Sequence, residues 1–416
     1  MSILPRKLVS KALVAATAAS LSIVGAQSIA QDMTPELDAW LQANALGAYS
    51  DGTEDWDDIV AKAKEEGEVV VYSSSGRIAK LVDDFNAIYP EITLTLFDLG
   101  SVKTVEKTVR EQDAGIFNVD VVTTGNSGQV IHEMLNKNRI FNYVPANYVD
   151  RIPVENRDPL LIRVNEAIVI FYNEEAYPDA PPITNVWELT EPEFKGRIGI
   201  KNPMSSGSTL MGVATLVQYP DEMAAAYKRL TGSDIELGDG VPDAGYEFVR
   251  RLLQNDIVIF KSGSKLAGAS GLKGQDKPLL AIANMTYIAR NDSDDYVNVI
   301  VSELDPVAKL VYPTFTSIAR RAPHPNAAKV LTAYLLGSTD LTADTVLEKP
   351  YLEGDSFAKL QGLAPYFDPG TRSPRSDVPS PEGGEIWNDM KGWSVSADFM
   401  WTESPKLRDF WLLNSN

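Results

Sequence analysis

Cysteine is absent from this 416-residue chain. Its absence excludes disulfides, thiolate metal sites, cysteine nucleophiles and a lipid anchor on an N-terminal cysteine. Histidine is nearly absent too: His132 and His324 are the only two. His132 stands in a helical stretch and His324 between two prolines. Neither has a Ser or Asp partner nearby in the sequence, and no metal-ligand spacing surrounds either. No nucleophile elbow, Walker loop or dinucleotide glycine pattern occurs. A catalytic role, for instance as an exported hydrolase of phosphate esters, therefore has no triad or metal cluster to rest on. Positive charge is scarce, with 38 Lys and Arg against 57 Asp and Glu, a formal net charge of −19. Nucleic acid is excluded as an ordinary partner, because phosphate backbones demand a basic surface. Any anionic ligand must be held by local donors against the global field. Past the first thirty residues, no segment is apolar enough to span a bilayer.

The first thirty residues carry their own pattern. Arg6, Lys7 and Lys11 precede an apolar run from Ala12 to about Ala26, and Ser28-Ile29-Ala30 places small residues at a cleavage position. The run is short of the roughly 20 residues that a spanning helix needs. Residues 1–30 are expected to be a signal peptide cleaved near Ala30. The remainder then holds 35 basic and 57 acidic residues, net −22.

Residues 31–66 read as a helical N-terminal extension: "TPELDAWLQANAL" and "DWDDIVAKAKEEG" carry apolar residues at helical spacing, and Gly67 stops the second. From Gly67 strands and helices alternate. "EVVVY" (68–72), "ITLTLF" (92–97), "NVDVVTTG" (118–125), "NEAIVIFYNEE" (165–175) and "GRIGIKNP" (196–203) read as strands, followed by "IVIF" (257–260), "LLAIAN" (279–284) and "VNVIV" (297–301). Helices are expected near 207–218, 221–230 and 243–255, and 313–338 reads as a strand, a turn and an amphipathic helix. This alternation predicts an α/β fold with parallel sheets. Two such sets imply two lobes around a cleft. Lobe 1 is expected over 67–164 plus about 290–340 and lobe 2 over 165–289, with hinge strands near Val164–Asn173 and Leu280–Ala289. Residues 341–416, with five prolines between 365 and 383, are expected to be a C-terminal extension packed on the lobes.

In open α/β sheets, ligands lie at the carboxyl ends of the strands. Four strands end there in small polar residues ahead of a helix: Ser73, Ser74, Ser75 and Gly76; Ser101; Thr124; and Asn202 with Ser206, Gly207, Ser208 and Thr209. A helix start offers free N–H groups and a partial positive charge, so it accepts an anion without a cationic side chain. Each loop alone reads equally as a helix cap. Four of them at one end of two sheets point to a binding cleft.

The stretches "EVVVYSSSGRIAKLVDDFNAIYP", "VDVVTTGN", "NEAIVIFYNEE", "FKGRIGIKNPMSSGSTLMGVATL", "LLAIANMTYIAR" and "ARRAPHPNAAKVLTAYLLGS" stand in an order that resembles bacterial periplasmic solute-binding proteins of ABC transporters. The resemblance covers about residues 67–340. It is to the type II arrangement, two lobes with a hinge and a central cleft, in the branch that binds ferric iron and organic phosphates. It implies a non-catalytic monomeric receptor in the periplasm that hands a small solute to an ABC permease in the inner membrane. It also implies roles for residues. Ser206-Gly207-Ser208 takes the place of a triplet that holds an anion beside the metal in ferric binders. Asn284-Met285-Thr286-Tyr287 takes the place of an Asn-x-Tyr-Tyr motif, so Thr286 replaces one phenolate and Tyr287 keeps the other. A loop that supplies histidine in several iron binders reads Ser73-Ser74-Ser75 here. With one phenolate and neutral hydroxyls, ferric iron is poorly matched. The expected ligand is a small anionic organic solute, phosphorylated or carboxylated, with no cofactor and no resident metal. Asn284, Thr286 and Tyr287 would touch it, and Tyr172 could pack against it or belong to the core. A ferric-iron binder using Tyr287 with an exogenous anion is the alternative.

Overall fold

The computed structural model describes residues 33–50, 52–341 and 359–415. The expected signal peptide lies outside the described residues. Short β-branched runs form the strands: β1 (Glu68–Ser73), β2 (Thr93–Asp98), β3 (Val121–Thr124), β4 (Ile140–Phe141), β5 (Ile162–Asn173), β6 (Ile198–Lys201), β7 (Val258–Phe260), β8 (Leu280–Asn284), β9 (Asn298–Ile300), β10 (Lys309–Ala319), β11 (Thr371–Arg372) and β12 (Gly392–Ser394). One hydrogen-bonded path runs β2-β1-β3-β10-β5-β8-β6-β7. Its two flanks are parallel: β2, β1 and β3 on one side, β8, β6 and β7 on the other.

Two long antiparallel strands, β5 and β10, join the flanks. The end of β10 pairs with β3 through Phe315 to Ile318, while its start pairs with β5 from Leu310 opposite Ile168. The far half of β5 pairs with β8 and β9. Both strands therefore belong to both lobes. This differs from the expected hinge in one respect: β8 and the turn that follows it stay within the second lobe, and β10 is the second crossing. The return also comes later than residue 290, since β9 still pairs with Phe171–Asn173.

Each lobe has its own core. In the first lobe Val69, Val71, Ile78, Phe85 and Val121 pack against the Pro325–Leu335 helix. In the second, Trp187 is buried among Phe171, Met223 and Phe248, and its indole N–H donates to the Met223 carbonyl at 2.9 Å. The helix Gly207–Gln218 is apolar almost all round, with nine buried residues. A helix of that kind must be covered on every side.

Candidate ligand-binding cleft

The strand-end loops of both lobes open onto one cleft of about 1200 Å³, counting the space open to solvent. From the first lobe come Ser74, Ser75, Gly76 and Arg77 after β1, Ser101 after β2 and Gly125 after β3. From the second come Lys201 at the end of β6, Ser206, Ser208 and Thr209 at the following helix start, and Asn284, Thr286 and Tyr287 after β8. The crossing strands add Glu166, Tyr312 and Thr314. The lining is polar and rich in hydroxyl groups. Such convergence of polar groups in a concave space between lobes is the usual geometry of a small-molecule site.

Ser73, Thr124, Asn202 and Gly207 do not line the cleft. The first three stand behind the wall. The Ser73 hydroxyl accepts the Ser75 N–H and donates to the Ser75 carbonyl, both at 3.0 Å, which fixes the shape of that loop. Thr124 is buried and donates to the Gly125 carbonyl at 3.3 Å. Asn202 accepts the Met204 N–H at 2.9 Å, closing a turn ahead of the helix. Gly207 meets the other lobe instead: its N–H donates to Ser101 Oγ at 3.2 Å. A Cβ on Gly207 would lie 2.6 Å from that oxygen and 3.4 Å from Asn126 Cβ. Glycine is thus what lets the two lobes approach here. The helix start is less open to an anion than its sequence implies. Ser206 Oγ caps the helix through the Thr209 N–H at 3.4 Å and also meets the Thr209 hydroxyl at 3.0 Å. Tyr172 is buried, edge-on to Tyr177 at 6.3 Å. It belongs to the core of the second lobe.

Several lining residues escaped the sequence reading. Tyr312 is buried beside Asn284, which bridges its hydroxyl and the Glu166 carboxylate. Burial, and then the Glu166 charge, push the Tyr312 phenol well above its ordinary range. Burial also raises Tyr287, with Arg77 and Arg290 pulling the other way. Both phenols are therefore protonated at neutral pH. Arg77 projects from the first loop, and its guanidinium pairs at 2.9 Å with Asp368 from the C-terminal segment. Burial pushes the Asp368 carboxyl up, opposed by Arg77. The Tyr366 hydroxyl donates to Ser75 Oγ at 3.0 Å, and its ring lies under the fully buried Arg163 guanidinium, 3.9 Å from the ring centre. The C-terminal segment thus backs the first-lobe wall, holding Ser75 and Arg77 in place. Arg77 stood within the quoted loop, and Glu166 was a carboxylate set directly ahead of the apolar run "AIVIFY". Those two signals were available in the sequence.

Each histidine has a carboxylate partner, and neither lies in the cleft. His132 Nε2 is 2.8 Å from Asp398, and His324 Nδ1 is 2.9 Å from Asp120. Arg321 stacks over Phe117 at 4.6 Å, also away from the cleft.

No protein-family model and no curated protein sequence matches the chain. Solved structures do. The apo ferric ion-binding protein A of Pasteurella haemolytica matches at a TM-score of 0.60 and 15% identity, over 84% of this chain and 98% of that one. Iron-bound HitA from Pseudomonas aeruginosa matches at 0.59 and 14%, over 82% and 99%. The periplasmic binding protein MotA from A. tumefaciens B6, in complex with glucopine, matches at 0.58 and 14%, over 84% and 100%. The fold is that of the two-lobed periplasmic binding proteins.

Proposed function

We propose that this chain is a periplasmic solute-binding receptor, exported with cleavage near Ala30, that captures a small organic solute bearing an acidic group. It works as a monomer and without catalysis. The two lobes close on the solute by bending at β5 and β10, and the closed form docks on an ABC permease in the inner membrane. One observation carries this reading: strand-end loops of two lobes that share a crossing pair of strands line a single hydroxyl-rich cleft. Lys201 and the helix start at Ser101 supply the electropositive side, with the hydroxyls of Ser206 and Ser208 beside them. The solved neighbours support the receptor class.

The test is a thermal-shift screen of phosphorylated and carboxylated metabolites on protein purified without refolding. A ligand at a hundred times its Kd stabilises the native state by about 2.7 kcal/mol, a shift of several degrees. If no such acid moves the melt, the reading fails.

A second reading, ferric iron with an exogenous anion, rests on Tyr287, Tyr312 and Glu166 lining the same cleft. It requires phenolates from two phenols that burial holds protonated. A visible charge-transfer band on adding ferric citrate, lost in Tyr287→Phe, would decide for it.

A further inference from the structure

Glu166 is the unexplained charge of the cleft. It stands on crossing strand β5, opposite Tyr312 of β10 and Thr371 of β11. Its carboxylate has two neutral donors at long range, the Asn284 amide at 3.2 Å on Oε1 and the Thr314 hydroxyl at 3.3 Å on Oε2. An ionised carboxylate offers about four lone-pair sites, so half its accepting capacity is unused. Among the described residues, no lysine or arginine nitrogen forms an ion pair with it. The nearby cation is already committed: Arg77 pairs with Asp368 and also donates to the Pro365 carbonyl at 3.3 Å. Glu166 is half-buried, and Arg77 acts on it across space without forming an ion pair; its free lone pairs face the cleft and are placed to accept an ammonium from a ligand.

Lys201 presents the complementary case. It lines the same cleft from the end of β6 in the second lobe, and among the described residues no carboxylate pairs with it. With Arg77 and Asp368 cancelling, the cleft holds one free negative and one free positive side chain among hydroxyl groups. That set matches a dipolar solute.

We propose that the solute carries a protonated amine as well as its acidic group, and that Glu166 is the residue that reads the amine. The ammonium donates to the free lone pairs of Glu166. The acid faces Lys201 and the helix start at Ser101. The Ser and Thr hydroxyls meet a hydroxylated body. The solute class is a hydroxylated amino acid or an amino-sugar acid. This rests on the receptor reading above and narrows its ligand.

The test compares matched probes that differ only in amine against hydroxyl. These are glucosamine 6-phosphate with glucose 6-phosphate, and glucosaminate with gluconate, each followed by calorimetry and melting temperature at millimolar concentration. The amine member of at least one pair should bind about tenfold or more tighter than its partner, the scale of one charge-assisted hydrogen bond. Glu166→Gln should bring that preference close to one. Glu166→Asp, which keeps the charge on a shorter stem, should retain part of it and serves as the fold control. Equal binding of both members, or a preference unchanged in Glu166→Gln, overturns the assignment. So does the failure of all four probes to bind. In any of these cases the receptor reading survives if some other organic acid shifts the melt of the unmodified protein.

Discussion

The two segments outside the alternating α/β framework, residues 33–66 and 359–415, attach to the molecule in opposite ways. The N-terminal segment serves one lobe. Leu37, Leu41, Leu46, Ile59 and Ala63 are buried in the first-lobe core. Glu66 caps the Pro325–Leu335 helix of that lobe by accepting the Ala327 N–H at 2.7 Å. The C-terminal segment serves both. Gly362 lies where a Cβ would be 2.4 Å from Leu335 Cα in the first lobe, and Gly370 where a Cβ would be 2.3 Å from the Thr286 nitrogen in the second. The helix Ala397–Asn414 then buries Met400, Leu407 and Trp411 in a second-lobe core. Its start presses on Gly128 of the first lobe, where a Cβ would meet Trp401 N at 2.8 Å. His132 of the first lobe stacks on Trp401 at 5.2 Å. Segments of similar burial thus do different work. One enlarges a core, while the other ties together two bodies that must move relative to each other if the cleft opens.

The difference can be broken most forcefully at the cores. Trp411→Ala should cost about 4 kcal/mol of unfolding free energy, and Leu41→Ala about 3 kcal/mol, both by loss of burial and cavity formation. Urea unfolding measures these losses. The comparison turns on a second readout. The chain has no cysteine, so spin labels at Lys80→Cys in the first lobe and Lys265→Cys in the second report the interlobe distance without background. Trp411→Ala should broaden that distance distribution toward longer values. Leu41→Ala should leave it unchanged. Equal broadening in both variants would mean that the tail is no special tie.

A finer probe leaves Leu407 and Trp411 of the second-lobe core alone. Gly128→Val inserts a side chain against Met400 Cβ, 2.9 Å from the new Cβ, and against the Trp401 backbone. Overpacking of this kind costs about 1–3 kcal/mol. It should push the tail helix off the first lobe while Leu407 and Trp411 stay docked in the second. The same label pair should then show a more open ensemble with little loss of global stability. A variant that unfolds more easily but keeps the native distance would place Gly128 with ordinary packing.

Much of this arrangement was legible in the sequence, for a physical reason. Residues just after parallel strands must gather at one end of a sheet, so "SSSG" after β1 and "NPMSSGST" after β6 had to face the same region once two lobes were inferred. What escaped depends on distance along the chain. Asp368 finds Arg77 across 291 positions, and no local pattern marks such a pair. Tyr312 and Glu166 meet only because β5 and β10 run antiparallel in one register. The start of β10 was missed because Pro313 reads as a strand beginning, and prolines avoid central strands. Here Pro313 lies inside the crossing strand, four residues after its start at Lys309. Ser206 carries both readings at once: it lines the cleft, and its oxygen also caps its own helix, the role its position alone would predict.

The smallest effect concerns pH and tests whether the first lobe titrates independently of the tie. His324 sits at the start of the Pro325–Leu335 helix, 2.9 Å from the buried Asp120 carboxylate, with Glu66 and Glu68 also near. The Asp120 hydrogen bond, only partly opposed by burial, raises the His324 pKa above its ordinary value. A raised folded-state pKa stabilises the protein fully below the unfolded value of about 6.5. That stabilisation is lost as pH rises through the folded value. The melting temperature of the native protein should therefore exceed that of His324→Gln at about pH 6, with the gap closing as pH rises beyond the folded pKa. The interlobe distance should not change across that range, because this contact lies wholly within the first lobe. A gap that is constant or widens with pH would remove the ion pair from the account, and an interlobe distance that follows it would show that the two lobes are coupled through more than the tail.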